Sequence, residues 1–107
     1  ENENAFAIYD GFPVSKGHVL VIPKRVVAEI FDLNDEEYSS CFNLVKDVKK
    51  ILEEEFKPDG FNIGINNGAK AGQTIFHAHI HIIPRYSGDV DNPRGGIRHV
   101  IPGKGDY

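Results

Sequence analysis

The sequence predicts an α+β fold, with one long amphipathic helix and a short helix packed on an antiparallel sheet. Short apolar runs bounded by Gly and Pro lie on both sides of a single stretch with helical periodicity. A short connection joins the first two runs, which makes their strands antiparallel. A chain of 107 residues with 40% hydrophobic residues can bury one core, so we expect a single domain over residues 1–107.

Composition and charge exclude several classes of partner. The formal net charge of −4 provides no basic field for nucleic acid or for an anionic membrane. No apolar run reaches the roughly 18 residues that a membrane-spanning helix needs. The single cysteine, Cys41, cannot form an internal disulfide, which is typical of a reducing compartment and predicts a cytoplasmic protein. The chain does not begin with methionine, which leaves open that the natural protein starts before Glu1.

Two strands are predicted near the N-terminus. Residues 5–10 are rich in aromatic and branched side chains and end at the turn signal Gly-Phe-Pro of residues 11–13. Residues 18–22 form the second apolar run, which Pro23 ends. His18 stands at the start of this run, where its side chain can reach the rim of the sheet.

The helical segment follows. Residues 26–33 are ambiguous and are consistent with a short turn of helix. Asn34 and Glu37 have the spacing of a capping box, so the long helix is expected to begin there and to end before Pro58. Its predicted apolar stripe contains residues at steps of three and four, namely Tyr38, Cys41, Phe42, Val45, Val48 and Leu52.

A hairpin is predicted after the helix. Apolar and small polar residues alternate over 61–66, which indicates a half-buried third strand. The glycine-containing residues 66–72 form a loop that leads into a further strand rich in histidine. The Gly- and Pro-rich chain after Pro84 is predicted to be loop.

Three histidines alternate with apolar residues in this last strand. On an extended chain, His77, His79 and His81 share one face, while Ala78 and Ile80 share the other. The imidazoles are then about 6 to 7 Å apart, which we expect to be too far for one ring to rest on the next. Each ring therefore needs a partner of its own.

Three interpretations of the histidines are open. A purely structural role is the least favoured, because three imidazoles on one face suit neither a core nor an ordinary solvated strand. A zinc site could take two ligands from a His-x-His pair and a third from His81 or His18. However, no acidic residue that could orient such ligands occurs within the ten positions before His77. His99 alone is more consistent with an ordinary surface or core residue.

The third interpretation is nucleophilic catalysis on phosphorus. A neutral imidazole attacks if an acceptor holds the proton on its other nitrogen, and neighbouring imidazoles can donate to phosphoryl oxygens or to the leaving group. Backbone amides and a hydroxyl must receive the charge that develops on the phosphoryl oxygens. Gly72, Gln73 and Thr74 offer such groups just before the histidines.

Residues 77–83, His-Ala-His-Ile-His-Ile-Ile, match the signature of the histidine triad (HIT) superfamily, in which each histidine is followed by an apolar residue. Residues 17–24, Gly-His-Val-Leu-Val-Ile-Pro-Lys, resemble the second hallmark strand of that family. The resemblance extends over nearly the full length. It implies a HIT-like fold, with an antiparallel sheet of about five strands, and a nucleotide hydrolase or transferase that acts at the α-phosphate.

The resemblance also implies roles for individual residues. His79 would be the nucleophile that forms a nucleotidyl intermediate. His77 would order its surroundings through a network that includes His18, and His81 would contact the α-phosphate or the bridging oxygen. Asp10 would hold the ribose hydroxyls.

The remaining implied contacts are to phosphate and base. The phosphate-binding positions would be Asn66, Gly72, Gln73 and Thr74, and the base pocket would be walled by Phe6 and Ile8. Without the resemblance, Asn66 could equally start a turn and Asp10 could cap one. Cys41 is expected to be packing, and the arginines at 85, 94 and 98 fit ordinary surface charge as well as phosphate contacts.

Within the superfamily, the segments around the triad favour the dinucleoside polyphosphate hydrolase and fragile histidine triad branch. Because the third position is His81 and not glutamine, the uridylyltransferase branch is disfavoured. The expected reaction is cleavage of a dinucleoside polyphosphate, such as diadenosine tetraphosphate, at the α-phosphate. The alternatives are an adenosine phosphoramidase and a nucleotide-binding protein whose hydrolysis is incidental.

The family also suggests cofactors and partners. No cofactor is assigned with certainty, and Mg²⁺ or Mn²⁺ with the polyphosphate substrate is left open. Many relatives bind a structural zinc with a Cys-x-x-Cys motif near the N-terminus, and this sequence has no such motif. The expected partners are a nucleotide substrate or AMP and a second copy of the chain in a homodimer, with no nucleic acid and no membrane.

Overall fold

The computed structural model describes all 107 residues and has an α+β architecture. One helix packs on a sheet, and the elements in chain order are β1 (Ala5–Tyr9), β2 (Val19–Pro23), α1 (Asp35–Phe56), β3 (Gly60–Gly64) and β4 (Ile80–Arg85). The strand order is β1-β2-β4-β3, and every neighbouring pair is antiparallel. The predicted fold class is confirmed, with four strands where about five were expected.

The histidine segment is a strand only from Ile80 onwards, which corrects the expectation that all three histidines lie within the strand. The reason is that both ladders of β4 end at this point. The ladder between β2 and β4 ends at the pair of Val21 with Ile80, and the ladder between β3 and β4 ends at the pair of Gly64 with His81. The third strand accordingly ends at Gly64 and does not continue to residue 66 as predicted.

The core lies between α1 and one face of the sheet. Each strand contributes alternate apolar side chains, as the period of two requires. The helix stripe is largely as predicted, but Phe42 is 46% exposed and Leu44 takes its place in the core. The cluster is formed by the sheet residues Ala5, Val19, Val21, Ile80 and Ile82, the helix residues Cys41, Leu44, Val45, Val48 and Leu52, and the flanking residues Val27, Ile30, Leu33 and Ala78.

The helix begins with the predicted capping box. The Asn34 side chain accepts from the Glu37 amide, and the Glu37 carboxylate accepts from the Asn34 amide. Arg25 adds a bidentate contact, with Nε and Nη2 each 2.9 Å from an oxygen of Glu37. The Arg25 guanidinium, followed by the Asn34 amide, lowers the pKa of Glu37 to about 2. This contact ties the chain before α1 to the start of the helix.

The segment after β4 folds back over the sheet. It was predicted to be loop, but it contains a 3-10 helix at Gly96–Val100. Ile97 of this helix lies above Gly64, and the Nδ2 atom of Asn62 lies beside Gly96. The His99 ring packs directly on Gly105, so closely that a Cβ atom at residue 105 would overlap it. None of the helices combines the length and the apolar character that crossing a membrane requires.

We expect the Glu37→Gln variant to be less heat-stable than the wild type at pH 7, because an amide cannot replace the charged contact with Arg25. The pKa of Glu37 is lower in the folded chain than its ordinary value of 4.5. Its contribution is therefore complete above pH 4.5 and is lost as the pH falls through about 2. Thermal unfolding followed by circular dichroism should show the two melting temperatures converging over this range.

The control is Glu36→Gln, which removes a charge from the same helix turn at an exposed side chain that makes no ion pair. Its pH profile should follow the wild type. A difference between Glu37→Gln and the wild type that is as large at pH 2 as at pH 7 would contradict this account.

Candidate active site

The candidate site lies on the face of the sheet opposite α1. Residues directly opposite each other in an antiparallel ladder project to the same face. The registers therefore place Ile8, Leu20, His81 and Gly64 in one row that crosses all four strands. The row begins with apolar side chains on β1 and β2, reaches an imidazole on β4, and ends on β3 at a glycine, which has no side chain.

His77 and His79 continue the alternation although they precede the strand. Ala78 and Ile80 are buried, whereas His77 and His79 are only half-buried. The amide of Ala78 donates to the carbonyl of Val27 at 2.8 Å, which holds this part of the chain extended. The three imidazoles therefore belong to one segment whose apolar side chains face the core.

The rings are closer together than their spacing along the chain suggested. The centroids of His79 and His81 are 5.1 Å apart, with the rings edge to face at 66°. The expectation that neighbouring imidazoles would be too far apart for contact is wrong. Side chains two residues apart on a strand can lean towards each other, and here the two rings do so.

A backbone carbonyl determines the protonation of His79. Its Nδ1 atom is 2.8 Å from the carbonyl oxygen of His77. A carbonyl can only accept, so Nδ1 carries the proton. In the neutral ring, Nε2 is then left with a free lone pair. This is the arrangement that a nucleophilic imidazole requires.

A backbone amide determines the protonation of His81 through His18. The Val14 amide donates to Nδ1 of His18 at 3.2 Å, so the proton of neutral His18 is on Nε2. That atom is 3.0 Å from Nδ1 of His81, which accepts from it. Neutral His81 must then carry its own proton on Nε2. The two adjacent imidazoles, His79 and His81, thus present a lone pair and an N–H donor.

Burial keeps this relay neutral. His18 is 3% exposed, and its burial lowers its pKa, although the Asp10 carboxylate acts in the opposite direction. Burial also lowers the pKa of His81, with further contributions from His79 and His18. Both rings therefore stay neutral to a lower pH than a free histidine would.

The predicted network between His77 and His18 is not present. Nε2 of His77 donates to the carbonyl of Pro23 at 2.7 Å, while His18 is bonded to His81. His77 orders His79 through its own backbone carbonyl and not through its ring. The sequence pattern marks the imidazoles, but it does not reveal which backbone groups they meet.

The predicted nucleoside-binding residues lie beside the histidines. One oxygen of Asp10 accepts from the Phe12 amide at 2.8 Å, so this residue does organise a turn. Its other oxygen lies 3.5 Å from Nε2 of His18. Phe6 is half-buried and Ile8 is 47% exposed, and both project to the open face. The structure thus brings Asp10, Phe6 and Ile8 to the same side of the sheet as His81.

The predicted phosphate-binding residues divide into two kinds. Asn66 and Thr74 are exposed, and their side chains make no hydrogen bond within the protein. Gly72 has a φ of +98°, a left-handed conformation that glycine adopts without strain. Gln73 differs from the others, because it is 3% exposed and points into the protein.

All the hydrogen-bonding groups of the Gln73 side chain are used internally. Oε1 accepts from Gly68, and Nε2 donates to the carbonyls of Ala28 and Ile75. The expectation that this amide meets phosphate does not agree with the geometry. Gln73 instead fastens the glycine loop to the chain behind it, and it does so next to the histidine segment.

Several supporting groups could not be recognised in the sequence. Val14 acts through its backbone amide, which any residue other than proline would supply. Asn67 accepts from the Ile30 amide and, together with Gln73 and Ala78, attaches the site to residues 27–30. The only sequence signal for Asn67 is its position beside Asn66 in a turn-rich stretch.

A metal does not fit the most compact group of candidate ligands. Atoms of Asp10, His18 and His81 lie within 4.8 Å of one another. Nδ1 of His18 already accepts from the Val14 amide, so a metal on Nε2 would leave this ring with no proton on either nitrogen. It would also replace the hydrogen bond between His18 and His81. The donor set favours the imidazole relay over zinc.

Comparison with known proteins shows to which family this chain is similar. The model of the family described as HIT domain matches residues 1–88. The Bacillus subtilis protein named Protein hit is 44% identical over 86 residues, which is 80% of this chain and 59% of that protein. A HIT family protein of solved structure from Bacillus anthracis is 47% identical, with a TM-score of 0.79 over 83% of this chain and 63% of that one.

Two similar proteins have names that describe an activity. The bis(5'-adenosyl)-triphosphatase of Dictyostelium discoideum is 43% identical over 90 residues, 84% of this chain and 60% of that protein. The asymmetrical bis(5'-nucleosyl)-tetraphosphatase of Schizosaccharomyces pombe is 46% identical over 77 residues, 72% of this chain and 42% of that protein. The chain spans 60% or less of the length of these relatives.

We expect His79 to differ from every other histidine in its tautomer. Nitrogen-15 correlation spectra at pH 7 should show the proton of His79 on Nδ1, because its partner is the His77 carbonyl. The other four should carry it on Nε2. His99, which donates from Nε2 to the Arg94 carbonyl away from the site, is the internal reference. A spectrum in which His79 and His81 share one tautomer would refute the assigned relay.

Proposed function

The chain belongs to the HIT domain family, and from that premise we propose that it is a nucleotide hydrolase acting on dinucleoside polyphosphates. The reaction is cleavage at the α-phosphate of a substrate such as diadenosine tetraphosphate, through a nucleotidyl intermediate on His79. The observation that carries the proposal is the opposite tautomers of His79 and His81. The similarity to relatives named as a triphosphatase and a tetraphosphatase supports the substrate class.

In the first step, Nε2 of His79 attacks the α-phosphorus. A bond forms between nitrogen and phosphorus, and the bond between phosphorus and the bridging oxygen breaks, so the remaining phosphates leave. The ring becomes positively charged, and the His77 carbonyl stabilises it by accepting from Nδ1. Nε2–H of His81 donates to the bridging or α-phosphate oxygen, which offsets the charge that develops there.

In the second step, water replaces the histidine. The oxygen of water forms a bond to phosphorus, the bond to Nε2 of His79 breaks, and AMP is released. The water gives up a proton to the surrounding solvent, and the neutral imidazole is regenerated. Because the same nitrogen is nucleophile and then leaving group, its lone pair must be restored in the same tautomer, which the His77 carbonyl favours.

The nucleotide would lie across the open face. Phe6 and Ile8 provide the apolar wall for adenine, and Oδ2 of Asp10, which accepts from no backbone amide, accepts from the ribose hydroxyls. Asn66 and Thr74, whose side chains are uncommitted, together with the backbone at Gly72, receive the phosphate. Gln73 contributes by holding this loop in place.

We also propose that residues 1–107 form a single HIT domain and that the protein functions as a cytoplasmic homodimer. The edge strand β3, paired only with β4 and carrying a 43% exposed Ile63, is the part of the sheet that a second copy could extend. Mg²⁺ or Mn²⁺ would arrive bound to the polyphosphate as part of the substrate.

Two substrates separate this activity from its nearest alternative. Diadenosine polyphosphate and adenosine 5'-phosphoramidate share the adenosine and the α-phosphate but differ in the leaving group. A larger kcat/KM for the dinucleotide supports the proposal, and the reverse order supports an adenosine phosphoramidase. Turnover near background for both, with tight AMP binding, would mark a nucleotide-binding protein.

We expect His79→Asn to abolish turnover of diadenosine tetraphosphate while leaving AMP binding close to that of the wild type. Removal of a nucleophile typically lowers kcat by about 10⁴-fold or more. The asparagine amide can still donate to the His77 carbonyl, so the local chain is little disturbed. Turnover is measured by AMP release and binding by calorimetry.

The control is Asn2→Ala, because the Asn2 side chain also donates to a backbone carbonyl, that of Ser40 on α1, but lies outside the histidine cluster. It should retain wild-type turnover. Equal rates for the wild type and His79→Asn would exclude His79 as the nucleophile.

A further inference from the structure

A cavity of about 500 Å³ lies on the same open face, and the reaction described above does not use it. Its walls come from the loop before β2, from β3 and β4, and from the C-terminal segment, and they include Val14, Asn62, Ile83, Pro93, Gly96 and His99. Asn62 and Ile83 face each other in the ladder one step beyond the pair of Gly64 with His81. The cavity therefore begins about 7 Å from His81 along β4, at two residues of strand rise.

The proposed donor to the leaving group lies on the side of this cavity. In phosphoryl transfer, the attacking and leaving atoms lie roughly in line on opposite sides of phosphorus. In the step proposed above, His79 attacks and Nε2–H of His81 donates to the bridging oxygen, so the leaving oxygen lies beside His81. Continuing in the same direction, the next outward side chain on β4 is Ile83.

The cavity carries no uncompensated positive charge. Arg85 makes a bidentate contact with Asp89, in which Nε and Nη2 lie 2.8 and 2.9 Å from its two carboxylate oxygens. Its remaining nitrogen, Nη1, donates to Oδ1 of Asn62 at 2.6 Å. A bare phosphate would therefore find no free cation at Arg85.

What the cavity offers instead suits a nucleoside. Val14, Ile83 and Pro93 provide apolar surface for a base or a ribose ring. Because Oδ1 of Asn62 is occupied by Arg85, its Nδ2 donors are directed to the other side, where Gly96 lies. A polar donor on an otherwise apolar wall can fix the orientation of a nucleobase or a hydroxyl.

Internal contacts hold the cavity wall that the C-terminal segment, residues 93–105, contributes. Nε2 of His99 donates to the Arg94 carbonyl, and the His99 ring packs on Gly105. Gly96 lies close to Asn62, so the segment covers the open face of β3. Without residues 93–105, the cavity would be an open strip of sheet.

We propose that this cavity is the leaving-nucleotide subsite, which holds the second nucleoside of a dinucleoside polyphosphate while His79 takes the first nucleotide. The inference rests on the function proposed above and adds to it the place of the second nucleoside. It assigns to Ile83, Asn62 and the C-terminal segment a role in selecting the leaving group.

The test compares two substrates in a variant that fills the cavity. Ile83→Trp places a large side chain at the cavity wall. The ratio of kcat/KM for diadenosine triphosphate to kcat/KM for adenosine 5'-phosphoramidate should fall by about tenfold or more, the usual effect of disturbing an apolar binding contact. Only the dinucleotide has a second nucleoside, so the ratio removes any general loss of activity.

Two further variants make the result specific. Asn62→Asp keeps the acceptor for Arg85 but removes the amide donors and adds a negative charge, so the ratio should fall again. Ile51→Trp makes the same change of residue type as Ile83→Trp at an exposed position of α1, on the other side of the sheet. This control should leave the ratio at the wild-type value.

The outcomes are distinct. If the wild type hydrolyses neither substrate, the proposed function fails and the subsite fails with it. If the wild type hydrolyses the dinucleotide but Ile83→Trp and Asn62→Asp both keep the wild-type ratio, the subsite alone is overturned. A fall in the ratio for Ile51→Trp as large as that for Ile83→Trp would likewise overturn it.

Discussion

The chemistry of the site depends on the fact that a neutral imidazole has two nitrogens and one proton. The hydrogen bonds that neighbouring groups make with the two ring nitrogens decide which nitrogen carries the proton. Here the decision is made by two backbone groups, the His77 carbonyl and the Val14 amide. One acts directly on His79, and the other acts on His81 through His18. Two rings 5.1 Å apart therefore have opposite polarity although their residue type is the same.

Backbone control of this kind requires a rigid frame. His79 and His77 precede β4 and lack the ladder on either side, so another part of the chain has to support them. Residues 27–30 provide that support, through the Ala78 amide, the Gln73 amide and the Asn67 side chain. Arg25, just before this segment, is held in turn by Glu37 at the start of α1. Hydrogen bonds to residues 27–30, together with the ion pair of the adjoining Arg25, thus connect the histidine segment to the start of α1.

Periodicity and turn chemistry predict those parts of the structure that depend on local sequence. The alternation around His79 predicts which side chains face the core, because a period of two follows from strand geometry alone. The capping box of Asn34 and Glu37 likewise depends on residues close in sequence.

The predictions that were wrong concern features that depend on tertiary contacts. The strand begins at Ile80 because its ladders with β2 and β3 do not extend further, and Leu44 rather than Phe42 enters the core because of how α1 lies on the sheet. The amide of Gln73 looks free in the sequence, and only the fold reveals the three backbone groups that use it. The C-terminal 3-10 helix has no apolar repeat to mark it.

The alternation along residues 78–83 separates two tasks within one short stretch of chain. Ala78, Ile80 and Ile82 contact the helix side, whereas His79 and His81 face the open side. The open face can therefore accept substitutions at every second position while the residues of the hydrophobic layer stay the same. Mutational tolerance along this segment is thus expected to alternate with the period of the strand.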